Sequence, residues 1–244
     1  MVELLTSPWR PTLRELLSSV QRDMLIASPY IKKSEAEWVC EVLRSAGSVA
    51  HLRLQILTDV RSDSVLSGSL DIEALRTFTE AIPNASVVNL PRLHAKAYVA
   101  DTDFAIVGSG NLTPSGLETN YEYGVALRDP AIVAQIRSDL EDYAHVGNRL
   151  AAEVLGDLVV VGRELADEYQ QFQRSAKANL RRRFTQKLRS ANYEFLRAQV
   201  GADQPIAFSQ TPLSTFSRKD PLELKNYIQG SRSYCLTSAT TTSS

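Results

Sequence analysis

Residues 93–112 read LHAKAYVADTDFAIVGSGNL, and six of them, His94, Lys96, Asp101, Gly108, Ser109 and Asn111, stand at the offsets of a template H-x-K-x4-D-x6-G-S-x-N. Such an agreement arises by chance at about one starting position in 10^8. The residues between are mostly apolar, so the run also reads as two short strands, 93–100 and 104–108, joined by a tight turn at Asp101-Thr102-Asp103. Side chains two apart on a strand share a face, which aims His94 and Lys96 at one point. Gly108 and Gly110 leave room for close backbone approach, while Ser109 and Asn111, again two apart, present a hydroxyl and an amide. An imidazole, an ammonium, a hydroxyl and an amide converging on one point are suited to a phosphate.

Outward from this run the pattern alternates. Pro11–Ser19 reads as a helix with Leu13, Leu16 and Leu17 at helical spacing, and Met24–Ala27 as a buried strand ending in Ser28-Pro29-Tyr30. Ser34, three residues before Glu37, suggests a capping box for a helix that presents Val39, Cys40 and Leu43 on one face and stops at Gly47. Residues 52–57 form a second strand leading into Thr58-Asp59, and a loop rich in serine and glycine precedes a helix over Asp71–Ala81. Further strands are expected at Val87–Leu90 and Tyr121–Leu127, a short helix after Thr113-Pro114, and an amphipathic helix from Pro130 to about Val146.

This order predicts an α/β domain over residues 1–150, with a mixed sheet flanked by helices. Residues 151–200 read as a basic helical extension, and 201–244, interrupted by Pro205, Pro212 and Pro221, as an irregular tail with a disordered end. A chain of 244 residues that is 43% hydrophobic can bury a sizeable core. Its net charge of -1 offers no global attraction to a polyanion, so any such affinity must come from a local patch. Cys40 and Cys235 are far apart and form no zinc or disulfide pattern, which fits a reducing cytoplasm. The start, MVELLTSPWRP, lacks the marks of an export signal, and no run approaches the roughly 18 to 20 apolar residues that span a bilayer, so no membrane association is expected.

The template resembles the HKD signature of the phospholipase D superfamily, whose members break or exchange phosphodiester bonds. The resemblance is strongest over residues 1–150 and implies a phospholipase D-like fold. It implies that His94 attacks phosphorus to form a phosphohistidine, and that Lys96, Ser109 and Asn111 hold the phosphate, with no metal or other cofactor. Asp101, Gly108 and Gly110 then support the motif. Glu122, in NYEYG eleven residues after Asn111, matches the trailing acid that orients a catalytic imidazole of either subunit. In the superfamily a histidine from a second motif protonates the leaving group. This chain holds one copy, and His51 and His145 lack the H-x-K context, so a homodimer with two facing His94 rings is expected. Ser28, Tyr30, Thr58 and Asp59 follow strand ends, which assigns them to the mouth of the site.

Between Arg174 and Arg197, eight cations (Arg174, Lys177, Arg181, Arg182, Arg183, Lys187, Arg189, Arg197) face the single acid Glu194. Phe184, Tyr193 and Phe195 interleave with them, as in a helix that grips phosphates and stacks on bases; a solvated face or dimer contact shares the same pattern. Arg181, Arg182, Arg183 and Lys187 are the candidate nucleic-acid contacts. The leading expectation is a metal-independent DNA or RNA nuclease, similar to Nuc-type bacterial endonucleases and to the catalytic domains of phospholipase D-like restriction enzymes. Two alternatives stay open: a phospholipid hydrolase or phosphatidyl transferase, and a nucleic-acid-binding subunit of a DNA-processing or defence complex.

Overall fold

Apolar runs whose residues alternate between two buried faces build the centre of the molecule. Met24 and Ile26, Tyr98 and Ala100, and Phe104 and Ile106 point to one side, whereas Leu25 and Ala27, Ala97 and Val99, and Ala105 point to the other. Burial on both faces is what near-continuous apolar runs require. The computed structural model describes residues 1–47 and 49–165, together with 168, 169, 171, 186 and 187. The chain divides into two units, Met1–Ala178 and Asn179–Ser244, and the fold that follows is that of the first.

In chain order the elements are β1 (Val2–Thr6), α1 (Arg10–Ser19), β2 (Asp23–Ala27), α2 (Lys33–Ser45), β3 (Arg53–Thr58), α3 (Ser62–Leu66) and α4 (Ile72–Ala81), then β4 (Asn84–Asn89), β5 (Ala97–Ala100), β6 (Phe104–Gly108), β7 (Tyr123–Leu127), α5 (Pro130–Val146) and β8 (Asn148–Leu150). They form one mixed sheet in the order β1-β7-β6-β5-β2-β3-β4-β8. β2, β3 and β4 are parallel and joined by helical crossovers, and the remaining pairs are antiparallel. Leucines 13, 16 and 17 of α1, Val39 and Leu43 of α2, and Leu75 and Phe78 of α4 cover one face. On the other, Val133 and Leu140 of α5 pack on Leu25, Leu57, Val99 and Leu127. Arg137 fastens α5 to the strand ends, donating from Nε to Asp101 O (2.6 Å) and from Nη2 to the Asp23 and Val99 carbonyls (3.1 Å each).

The α/β class and the mixed sheet agree with the sequence reading, and four local details differ. The outer strands β1 and β8 were not anticipated: β1 buries only Leu5, and β8 has three residues, so neither carries an alternating pattern. Their pairings, such as Val2 with Leu127 and Val87 with Leu150, are long-range. α3 folds within the stretch read as a serine- and glycine-rich loop. The capping box does not form, because α2 starts at Lys33; Ser34 Oγ donates to Glu35 (3.3 Å), and Asp71 accepts the Lys33 N–H (3.0 Å). The strand expected over 93–100 keeps only Ala97–Ala100.

Gly47 ends α2 as read, at φ +79°, with its N–H on Arg44 O. Residues 152–165 are helical, and Leu155 and Val159 join the core beside α4. Among the described residues no helix is long and apolar enough to cross a membrane.

Glu73 of α4 accepts from Lys33 Nζ (2.9 Å) and Arg163 Nε (2.8 Å), linking α2, α4 and the helix at 152–165. The hydrogen bond from Lys33, then that from Arg163, pulls the Glu73 pKa from 4.5 down to about 2. A depressed folded-state value means that this contribution is present above pH 4.5 and is lost as pH falls toward 2. Glu73→Gln is therefore expected to flatten the acid limb of the thermal midpoint over that window. Superimposable acid limbs for the two proteins would remove Glu73 from the account.

Candidate active site

The strand entering the site begins only at Ala97 because residues 90–93 turn. Pro91 and Arg92 are the central residues, and the Leu93 N–H closes the turn on Leu90 O (3.1 Å). Arg92 has φ +69°, the left-handed conformation that glycine usually supplies at the third position of a proline-led turn. Holding a side chain there costs about 1–2 kcal/mol. The Arg92 N–H donates to Asp59 Oδ2 (3.1 Å), and Asp59, one residue beyond β3, is fully buried.

Beyond this turn His94 is exposed, while Lys96 is 6% exposed. Lys96 Nζ lies 3.2 Å from His94 Nδ1 and 3.3 Å from Nε2, and donates to His94 O at 2.8 Å. The in-plane directions of the two ring nitrogens diverge and only one of them accepts in a neutral ring, so a donor equally far from both is well aligned with neither. The ammonium's directed bond is to the carbonyl, and its charge rests against the ring. Their meeting does not come from strand alternation, since both precede β5. The irregular segment is held instead by the Gly108 N–H, which donates to Lys96 O (3.1 Å). Burial lowers the Lys96 pKa from 10.5, and the Glu122 carboxylate opposes that shift.

The loop 108–112 is fastened from below. The Tyr98 hydroxyl donates to Gly110 O (3.0 Å), Ser28 Oγ accepts the Leu112 N–H (3.1 Å), and the Lys32 N–H reaches Leu112 O (3.0 Å). Burial drives the Tyr98 pKa far above its usual value, so the phenol stays a donor. Ser28, Thr58 and Asp59 are fully buried and make the floor of this region rather than its mouth; Tyr30 is half-buried. Trp9, 1% exposed, fills the space above Gly108, Gly110 and Gly124, where a Cβ would overlap its ring. The glycines thus make room for an indole. No spacing in the sequence connects residue 9 with residues 108–110, so Trp9 gave no signal beyond being a large aromatic.

Asn111 is half-buried, and its Oδ1 is enclosed without a hydrogen-bond partner among the described residues. That oxygen is open only to a hydrogen-bond donor, whereas an anion would be met by the hydrogens on the amide nitrogen. Ser109 Oγ donates to Glu122 Oε2 and accepts the Tyr123 N–H (3.0 Å), while Glu122 Oε1 accepts from Asn120 Nδ2 (3.0 Å). The single Ser109 hydroxyl proton is therefore directed at the Glu122 carboxylate. Glu122 bonds Ser109 and Asn120, not the His94 ring of its own chain.

Asp101 stands at the other end of β5. At φ +45° its carboxylate accepts the N–H groups of Gln21 (2.7 Å), Arg22 (2.9 Å) and Asp23 (2.9 Å), clamping the start of β2. His51 precedes β3 and is exposed at the opposite end from Asp59. His145 lines a separate cleft of about 250 Å³ with Arg53, Gln55 and Arg149. Arg181, Arg182 and Arg183 lie outside the described residues, and Lys187 is exposed.

A family model described as "Cardiolipin synthase, PLD-like domain" matches residues 13–143. Cardiolipin synthase 1 of Bacillus cereus is 27% identical over 139 residues, covering 56% of this chain and 26% of that protein. The Bacillus anthracis cardiolipin synthase 1 is 26% identical over 135 residues, covering 54% and 26%. This chain thus spans about a quarter of the length of the curated relatives it matches. Among solved structures, the phospholipase D family member Nuc from Salmonella typhimurium superposes with a TM-score of 0.51 at 16% identity, over 62% of this chain and 97% of that one. Phosphatidylserine synthase from Haemophilus influenzae Rd KW20 gives 0.54 at 17% identity, over 73% of this chain and 46% of that one. At these identities the structural matches establish a shared fold.

Gly108→Ala tests the packing of the loop on Trp9. The added methyl meets Trp9 and the Gly124 backbone, so stability should fall by about 1–3 kcal/mol in denaturant melts. An unchanged midpoint would mean that the indole is not confined by this glycine.

Proposed function

The chain belongs to the phospholipase D superfamily through its PLD-like domain, and from that membership we propose that it cuts nucleic acid through a covalent phosphohistidine in a site shared by two copies. Members of the superfamily are phosphodiesterases and transferases. The observation that carries the reading is the buried Lys96 ammonium held 3.2 Å from a nitrogen of the exposed His94 ring. A phosphodiester resists attack mainly through its negative charge, so a cation held beside the nucleophile screens that charge and stabilises what accumulates at phosphorus. The neutral imidazole forms the N–P bond as the ester oxygen departs, the Asn111 Nδ2 amide donates to a non-bridging oxygen, and water then displaces the histidine. With the Lys96 ammonium screening charge and the Asn111 amide donating a hydrogen bond, the proposed step calls on no metal ion.

The departing oxygen needs a proton from the far side of phosphorus. In the proposed dimer the second His94 supplies it, and Glu122 orients that partner ring while Ser109 steadies the carboxylate. An exposed apolar strip supports such a pairing. Val2 and Leu4 of the edge strand are 58% and 66% exposed, and Tyr121 and Tyr123 beside Glu122 are 74% and 59% exposed. An edge strand bearing large apolar side chains is a surface that a second copy can cover.

The basic stretch 174–197 favours a polynucleotide. The second reading, phosphatidyl transfer or hydrolysis, draws on the cardiolipin synthases among the sequence relatives. Both are tested in excess chelator with an oligonucleotide and with phosphatidylglycerol vesicles. Nucleic-acid cleavage is expected, and His94→Ala should reduce it by at least ~10^3-fold. Faster turnover of the lipid would reverse the assignment, and tight DNA binding without turnover of either would favour a binding subunit.

Because Lys96 must be charged and its pKa lies below 10.5, activity should decline on the alkaline side before an ordinary lysine would titrate. Glu122 raises that pKa, so Glu122→Gln should bring the decline to still lower pH. A pH–rate profile of the two proteins with coincident alkaline limbs would disconnect the carboxylate from the lysine.

A further inference from the structure

Arg92 occupies the one position of its turn where glycine would be least strained, yet it keeps a long cationic side chain there. That side chain is exposed and makes no hydrogen bond or ion pair among the described residues, while its backbone N–H is tied to Asp59 Oδ2 at 3.1 Å. Arg61 Nε forms an ion pair with the same carboxylate oxygen at 2.8 Å, and the Arg61 side chain is 55% exposed. Asp59 is itself fully buried, with Oδ1 unpartnered. One inaccessible carboxylate therefore holds the Arg92 backbone and pairs with the Arg61 side chain, which places two exposed arginines at the edge of the segment that delivers His94. The three residues leave a surplus positive charge there.

We infer that Arg61 and Arg92 grip the phosphate next to the one attacked, so that the favoured substrate is a strand carrying consecutive phosphates. This rests on the nuclease reading above and narrows it. Cα atoms two residues apart stand at most about 7 Å from each other, so Arg92 reaches an immediate neighbour of a phosphate held on His94. A guanidinium fork suits that contact because it can bond two phosphate oxygens together. A single isolated diester offers the pair nothing to hold. A merely structural role in the turn would alter stability and leave substrate length irrelevant.

The test compares kcat/KM on a dinucleoside monophosphate, which has one diester, with that on a longer single strand, for the wild type, Arg92→Gly and Arg61→Ala. Wild-type protein should prefer the longer strand, and each variant should lower the ratio of the two values by about tenfold. Arg92→Gly relaxes the left-handed turn, so its thermal midpoint should not fall, which separates lost contacts from lost folding. A ratio that stays unchanged, or values that fall equally on both substrates, overturns the inference and leaves the nuclease reading standing. Wild-type turnover of phosphatidylglycerol with neither nucleic-acid substrate cleaved overturns that reading, and the inference with it.

Discussion

The hydrogen bond from the Gly108 N–H to the Lys96 carbonyl joins the two halves of the site. β5 and β6 pair in register up to Ala97 and Val107, and there the regular ladder stops. Lys96 continues the contact on one side and Gly108 on the other, so the segment bearing His94 and the loop bearing Asn111 leave the sheet together. Were that bond absent, each would depend on its own loop, and loops hold reacting groups less accurately than paired strands do.

Around this junction the molecule spends polar groups on the backbone instead of leaving them to solvent. Tyr98 and Ser28 hold the loop through Gly110 O and Leu112 N–H, and Asp59 holds the turn before His94 through the Arg92 N–H. All three are buried, where an unmet donor or acceptor would cost more than at the surface. Trp9 closes the other side against Gly108, Gly110 and Gly124. His94 remains exposed above this rigid floor, and the lysine beside it is sunk far enough for burial to weaken its hold on the proton.

Much of this could be read from one dimension. Strands and helices with buried faces announced themselves by period, as with Met24–Ala27, Asp71–Ala81 and Pro130–Val146. Local chemistry misled where a distant partner intervened. Ser34 looked like a cap, but Asp71 arrives from the start of α4 to take the Lys33 N–H. Ser109 reads as a hydroxyl free to meet a ligand, and in the fold it donates to Glu122 thirteen residues on. Ser28, Thr58 and Asp59 were assigned to an open mouth and turn inward as the floor. β1 was invisible because an edge strand buries little, and Trp9 because its partners lie about a hundred residues away.

The order of the residues alone marked His94, Lys96 and Asn111 as a candidate site and pointed to the superfamily, because these residues lie close enough along the chain for fixed offsets to carry their relation. Residue periodicity likewise determined the α/β class. Tertiary structure decided what those groups touch: Lys96 sunk against the ring, Glu122 bonded to Ser109, Asp59 beneath Arg61 and Arg92. These contacts join segments separated by thirteen or more residues or follow from burial. Neither chain distance through a folded sheet nor exclusion of water is a property of a short stretch of sequence, so only the packed molecule contains them.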